Sequence, residues 1–326
     1  MRFAMMIEAQ MGLSYEDQLA VARRAEAAGF EAFFRSDHYA SFPGGAGRST
    51  TDAWAVLAGI ARETTTIRLG ALVSPVTFRH PGQLVKMITT VDEMSGGRVE
   101  AGFGAGWNED DHLALGLAFP SIEVRAEMLE EALEVAHGLW AEPDGWSFDG
   151  RHMSVRGAAL HPKAVEAPGR PRSASGAVRP RIIVGGTGTP RSMRIAAHWA
   201  DEFNLSSNGP EQAAANVTKL SAACQAIDRD PASLTRSAMI GALIGADQAE
   251  VDARGEALMT ALGVSDGSSE WMETRRARWI IGTPEQTRAM VQRFADAGIE
   301  RIMLQDFLPW DLDMIDQLGA ELIGKV

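Results

Sequence analysis

The sequence predicts a single (β/α)8 TIM barrel with an insertion region that carries a β-hairpin and a long loop. Three observations predict it. Short apolar runs alternate with longer helical patterns, and eight such runs each have a helical connection. Glycines and polar residues collect at the C-terminal ends of these runs. No GxGxxG fingerprint follows the first run at residues 8–13, which weighs against a doubly wound sheet.

The elements follow in order. Residues 3–7 read as a strand, and residues 16–28 as a helix closed by Gly29, a residue suited to a left-handed cap. Residues 30–34 are the second strand. Residues 52–64 form a helix with Asp52 as N-cap. Residues 67–73 are an apolar strand broken only by Arg68 and Gly70. Residues 80–94 are a helix with Pro81 in its first turn, and residues 99–103 the fourth strand. Residues 125–140 form a helix with Leu129, Leu133, Ala136 and Trp140 near one face. The Asp149-Gly150 pair within residues 146–153 signals a hairpin. Residues 163–179 are rich in Pro, Gly, Ser and Ala without a period, which predicts a mobile loop inside the domain. These features place the insertion at about residues 141–180 of one domain spanning 1–326. Strands at 181–184, 202–205, 234–244 and 301–305 follow. Helices at 189–198, 211–227, 248–262, 283–297 and 311–322 complete the alternation.

Composition narrows the function. The chain has 326 residues, 45% hydrophobic and 23% charged, the balance of a globular protein. A formal charge of -12 without a basic patch weighs against nucleic-acid binding. The lone cysteine, Cys224, excludes an intramolecular disulfide and reads as structural. The apolar start ends at Glu8, too soon for a signal peptide or a membrane helix, so the expected compartment is the cytoplasm. No metal site is expected. His112 has Glu109, Asp110 and Asp111 beside it but no second histidine in register, and the two aspartates read as bias at a helix N-terminus.

In a barrel of this kind the chemistry lies at the C-terminal ends of the strands. That directs attention to Glu8, Asp37-His38, Val73-Ser74-Pro75, the run Gly104-Ala105-Gly106-Trp107-Asn108, the run Gly185-Gly186-Thr187-Gly188, Asn204 and Gln305-Asp306. Gly185 to Gly188 lie just before a helix, as an anion cradle would, or as a tight strand-to-helix turn would. Gly104 and Gly106 make either an open-backed strand end for a flat ligand or a close packing contact. His38 suits acid–base work or a hydrogen bond to a cofactor, with a satisfied loop histidine as the plain alternative. Glu8 interrupts an apolar strand end, either as a general acid in a desolvated site or as a loop cap, and Asp37 stands as a third titratable candidate. Trp107 is the tryptophan set among glycines at a strand end, and therefore a candidate ligand wall.

Several of these segments together resemble the bacterial luciferase-like flavin and deazaflavin oxidoreductases, in particular their F420-dependent branch. They are Ser36-Asp37-His38, the stretch from Leu69 to Thr77, His80-Pro81-Gly82, the stretch from Val91 to Arg98 ending in Ser95-Gly96-Gly97-Arg98, the stretch from Gly104 to Glu109, the stretch from Ile182 to Gly186, and the stretch from Ala200 to Asn204. The resemblance covers essentially the whole chain. It implies a barrel, a homodimer, and coenzyme F420 as cofactor, with FMN as the alternative. It implies a non-proline cis peptide near Val73-Ser74 behind the ring, ring contacts from His38 and Asn108, and a phosphate loop at Gly185, Gly186, Thr187 and Gly188. Relatives that oxidise a sugar phosphate carry an acid where Ala105 stands, so that substrate class is not expected. The implied reaction is hydride transfer between the deazaflavin C5 and a small carbonyl, imine or activated alkene. An FMN-dependent monooxygenase and a non-catalytic cofactor-binding barrel are the alternatives.

Overall fold

The computed structural model describes residues 1–43, 45, 47–206, 209–264 and 268–326. Nine parallel strands run in the order β3 (Arg68–Ala71), β2 (Ala32–Arg35), β1 (Arg2–Ile7), β12 (Arg301–Asp306), β10 (Thr235–Ile244), β9 (Glu202–Ser206), β8 (Arg181–Gly186), β5 (Glu100–Gly104) and β4 (Ser74–Pro75). β3 and β4 are two halves of one stave, interrupted at Leu72-Val73, where the peptide is cis. A parallel bridge between Leu69 and Val99 joins the β3 half to the start of β5, so eight staves close into a barrel. β11 (Ile280–Gly282) extends the far end of β10 outside the ring.

The helices wrap this ring. They are α1 (Tyr15–Ala27), α2 (Ala53–Glu63), α3 (Pro81–Ser95), α4 (Glu109–Leu113), α5 (Ile122–Ala141), α6 (Pro190–Trp199), α7 (Pro210–Gln225), α8 (Gln248–Ala261), α9 (Ser268–Arg276), α10 (Pro284–Asp296) and α11 (Leu312–Leu322). Their starts are chemically marked. Ser14 and Asp17 form a capping box, and Asp52 accepts from the Ala55 N–H at 2.9 Å. Pro81 and Pro190 sit in first turns, where the missing N–H costs nothing. α1 ends just before Gly29, whose φ of +90° a side-chain-bearing residue rarely adopts. None of the described helices is long and apolar enough to cross a membrane.

Strand alternation splits the apolar residues into two layers. Phe3, Met5, Ile7, Phe33, Ile182, Ile302 and Leu304 face the helices in the larger core. Ala4, Met6, Ala32, Phe34, Leu72, Ile183 and Met303 fill the barrel interior. Below that small inner layer lies a group of charges. Arg301 is wholly buried; its Nη1 donates to Glu100 Oε2 at 2.6 Å and to Glu202 Oε2 at 3.1 Å, and its Nε lies 2.5 Å from Glu31 Oε1. Arg68 reaches Glu100 at 3.2 Å from the rim. Burial works to raise the pKa of Glu100, but the charges of Arg301 and Arg68 outweigh it and hold the carboxyl below its ordinary value.

Between α5 and β8 the structure differs in two ways from the sequence reading. β6 (Trp146–Asp149) and β7 (Ser154–Ala158) form an antiparallel hairpin, but its loop spans residues 150–153 rather than turning on Asp149-Gly150 alone. Glu131 of α5 accepts from the N–H groups of Arg151, His152 and Met153, which props the loop open. The segment expected to be mobile is pinned at both ends. Asp92 accepts from the Val165 N–H at 3.0 Å and from Arg170 at 2.8 Å, and Arg179 makes a two-pronged pair with Asp201. Two elements, α9 and β11, lie in a stretch where the sequence pattern marks none.

Removing the central cation tests the charge group. Arg301→Met keeps the side-chain volume but strands buried carboxylates with no cation between them. Denaturant unfolding should show a loss of about 3–5 kcal/mol. The lowered pKa of Glu100 gives the pH dependence its sign. Its share of the stability is full above its ordinary value of 4.5 and is lost only as pH falls through the lower folded value. Acid unfolding of the wild type should therefore steepen below that range, and the step should be missing from Arg301→Met.

Candidate functional site

A cavity of about 900 Å³ opens at the C-terminal ends of the strands. Its wall takes residues from β1, β2, β4, β5, β8, β9, β10 and β12 or from the loops that follow them. Of the residues singled out in the sequence, Glu8, His38, Val73, Gly104, Ala105, Gly106, Trp107, Asn108, Gly185, Gly186, Thr187, Asn204 and Gln305 line it.

Asp37, Ser74, Gly188 and Asp306 do not. Asp37 follows Ser36 and precedes His38, so strand alternation turns it outward. There it holds Arg79 with two bonds, at 2.7 and 3.2 Å, and is spent on an ion pair. Ser74 is fully buried, and its Oγ accepts from Trp54 Nε1 at 2.9 Å. Gly188 is a packing position; at φ +84° any Cβ would stand 2.6 Å from the Asn216 amide. Asp306 also points outward. Burial, with the charge of Asp311 behind it, pushes its pKa up to about 7.

One wall is built on Val73. An added Cβ at Gly104 would lie 2.4 Å from Val73 Cγ2, at Gly102 2.2 Å from the Ala71 carbonyl oxygen, and at Gly185 3.1 Å from Val73 Cγ1. These glycines therefore make room for the side chain that follows the cis peptide, and Val73 with Leu72 presents an apolar ridge to the cavity.

The wall beside this ridge, after the neighbouring strands β2 and β5, is polar. Asp111 stands in the first turn of α4, as the sequence reads it, but its carboxylate has partners the sequence does not show. In the five-residue α4 its carboxylate is buried and turns to the β2 loop rather than to its own helix end. It takes His38 Nδ1 at 2.6 Å on one oxygen, and the N–H groups of Tyr39 at 2.8 Å and Ala40 at 2.6 Å on the other. Burial opposes its charge, but the bonds from His38, Ala40 and Tyr39 win and hold its pKa below the ordinary value. An ionised carboxylate only accepts, so His38 Nδ1 carries the proton and Nε2 is left for a ligand. Phe42 and Trp107 stand edge-on to the imidazole, with ring centroids 4.7 and 5.7 Å away. His112, also unanticipated as a wall residue, donates from Nδ1 to the Asn108 carbonyl at 2.8 Å and accepts from Thr77 Oγ1 at 2.7 Å.

Glu8 sits deeper, 7% exposed, in a chain of neutral groups. Gln10 Nε2 donates to it at 2.7 Å, Gln305 Nε2 donates to its other oxygen, and Ser36 Oγ ties Gln10 in place at 2.5 Å.

At the far side, Gly185, Gly186 and Thr187 lead to Thr189, the N-cap of α6, and Arg191 and Ser192 add a charge and a hydroxyl to the same wall. Arg191 carries no sequence signal apart from its place in the first turn of that helix. A Cβ at Gly186 would lie 3.0 Å from Ser192 Cβ and 3.1 Å from the Phe203 ring, so Gly186 serves the packing as well as the wall. The described residues include no group of three or more His, Cys, Asp or Glu side chains that could hold a metal.

Comparison with known proteins agrees with this architecture. Uncharacterised proteins of Mycobacterium bovis and Mycobacterium tuberculosis are 31% identical over 197 residues, a match covering 56% of this chain and 64% of theirs, so the chain spans less than two thirds of the length of these relatives. An F420-dependent hydroxymycolic acid dehydrogenase of Mycobacterium tuberculosis is 27% identical over 86% of this chain and 76% of its own. An FMNH2-dependent dimethylsulfone monooxygenase of Pseudomonas putida is 23% identical over 94% and 86%. The solved structure of an F420-dependent secondary alcohol dehydrogenase superposes with a TM-score of 0.80 at 20% identity, covering 99% of this chain and 98% of that one. The luciferase-like monooxygenase family matches residues 1–301, which leaves outside only the last strand beyond its first residue and the closing helix. The chain belongs to the luciferase-like monooxygenase family.

Proposed function

We propose that the protein is an F420-dependent oxidoreductase that moves a hydride between the deazaflavin C5 and a small organic substrate with a carbonyl, imine or activated alkene. The observation that carries this reading is the Asp111–His38 pair, which presents an imidazole Nε2 to the cavity that the apolar, glycine-backed ridge at Val73 also lines. A flat ring fits against Val73, where added side chains at Gly102 and Gly104 would collide. An anionic tail fits the start of α6, where Thr187, Ser192 and Arg191 line the wall at the positive end of the helix. The bound deazaflavin would supply the two-electron chemistry; the chain supplies orientation, a dry wall and a proton.

The proton is His38's task. With Nδ1 committed to Asp111, Nε2 is the ring atom that gives or takes a proton beside the reacting atom. Asp111 has a positioning role: by holding the Tyr39 and Ala40 amides as well, it fixes the loop that bears the imidazole. Phe42 and Trp107 cover the ring's edges. The relative that is an FMNH2-dependent monooxygenase favours a second reading, in which reduced FMN and oxygen act in the same cavity.

Titration with F420 and with FMN separates the two. Quenching of F420 fluorescence should saturate with an affinity of about micromolar. Tight FMN binding without F420 binding, together with oxygen consumption in the presence of reduced FMN, would sink the first reading.

Three variants test the assigned roles. His38→Asn should lower turnover by about 10² to 10⁴ and leave cofactor affinity within a few-fold. A matching loss of affinity would assign His38 to binding instead. Arg191→Gln should weaken the cofactor by about tenfold, the worth of one charge-assisted bond, without changing the melting temperature. Asp111→Ala should raise hydrogen exchange at the Tyr39 and Ala40 amides by about tenfold or more while amides of the barrel strands stay protected. Unchanged exchange at those two sites would remove Asp111 from its positioning role.

A further inference from the structure

Glu8 is a buried carboxyl group with no cationic partner among the described residues. Its two oxygens accept one N–H each from Gln10 and Gln305, and both donors are neutral carboxamides. Among the described residues it joins no ion pair. The charged groups elsewhere around the cavity do not answer it. Asp111 has the same sign and is occupied by His38; Glu123 and Arg191 lie on the α5 and α6 side; Arg301 lies at the opposite end of its strand among its own carboxylates. Arg35 turns outward to Thr51. The cavity wall also carries apolar Met6, Leu72, Val73, Met239 and Phe307. A ligand that fills this space strips the remaining water from the carboxylate, and a neutral ligand returns no charge for that loss.

We propose that Glu8 receives a cationic nitrogen, and that the substrate class of this site is an amine and its iminium counterpart. An N⁺–H or an alkylated C=N⁺ placed against Glu8 forms the ion pair that none of the described residues gives it, in a setting where charge-assisted contacts are strong. The choice of reaction rests on the oxidoreductase reading above; the binding does not. In the reductive direction a hydride, one hydrogen with two electrons, adds to the iminium carbon. The C=N π pair becomes the nitrogen lone pair, and the hydride donor, a reduced deazaflavin or flavin, is left oxidised by two electrons. The carboxylate stabilises the charged partner throughout and takes no covalent part.

The test uses two ring systems of equal shape on the cofactor-free protein at neutral pH. Tetrahydroisoquinoline is protonated there, and isochroman carries a ring oxygen in place of its nitrogen. Calorimetry should show the amine binding at least about tenfold tighter than the ether. In Glu8→Gln the ether's affinity should be unchanged and the ratio should fall to within a few-fold of one. Equal binding of the two by the wild type overturns the proposal, as does binding of neither, or a preference that survives Glu8→Gln. If Glu8→Gln does not fold, the wild-type ratio decides alone. A protein that prefers the amine but ignores F420 keeps this proposal and loses the cofactor reading, whereas F420 binding without an amine preference does the reverse.

Discussion

The barrel depends on Arg301. Strands that meet at the floor bring Glu100 and Glu202 into the closed end, with Glu31 at its edge, and only a cation among them makes that end tolerable. The guanidinium is planar and multiply armed, so one residue bridges strands that are not neighbours in the sheet. The inner apolar layer rests on this floor and is thin, made of small residues and a few long ones. The open end is therefore where space remains, and the cavity has a single direction in which to face.

At that open end charges come from several elements. Glu8 and Asp111 are carried by the first strand's end and by α4, while Arg191 at the start of α6 lies with Glu123 of α5. The apolar ridge at Val73 sets which face of the ligand is supported.

Much of this was legible in the residues. Strand and helix periods, Pro81 in a first helical turn and the polar ends of the strands located the staves and their open face. What escaped has physical causes. Asp37 and His38 read equally well as site residues until strand parity is known, and one step of parity sends Asp37 to Arg79. Asp111 looks like a first-turn acid because local sequence shows the dipole of α4; its true partners lie about seventy positions away. Ser74 offered a hydroxyl, but Trp54 had already claimed it. β11 is three residues long and α9 has only a weakly apolar face, too little pattern for either to stand out. The long loop reads as mobile from its composition, whereas its order comes from Asp92 and Asp201, again remote in sequence.

Val73 and the glycines around it have an evolutionary consequence. A larger residue at Gly104 is barred by Val73, and one at Gly102 by the carbonyl of Ala71 as well as by Val73. A smaller residue at 73 would leave an empty notch beside Gly104 and Gly185. At Gly104 and Gly185 each single replacement is thus penalised by Val73, while a paired exchange of bulk between staves is not; at Gly102 the Ala71 carbonyl bars a side chain whatever stands at 73. Divergence at this wall must proceed by compensated double steps, so the slot should drift far more slowly than the cavity's free rim at Trp107, which is 68% exposed and answers to few neighbours.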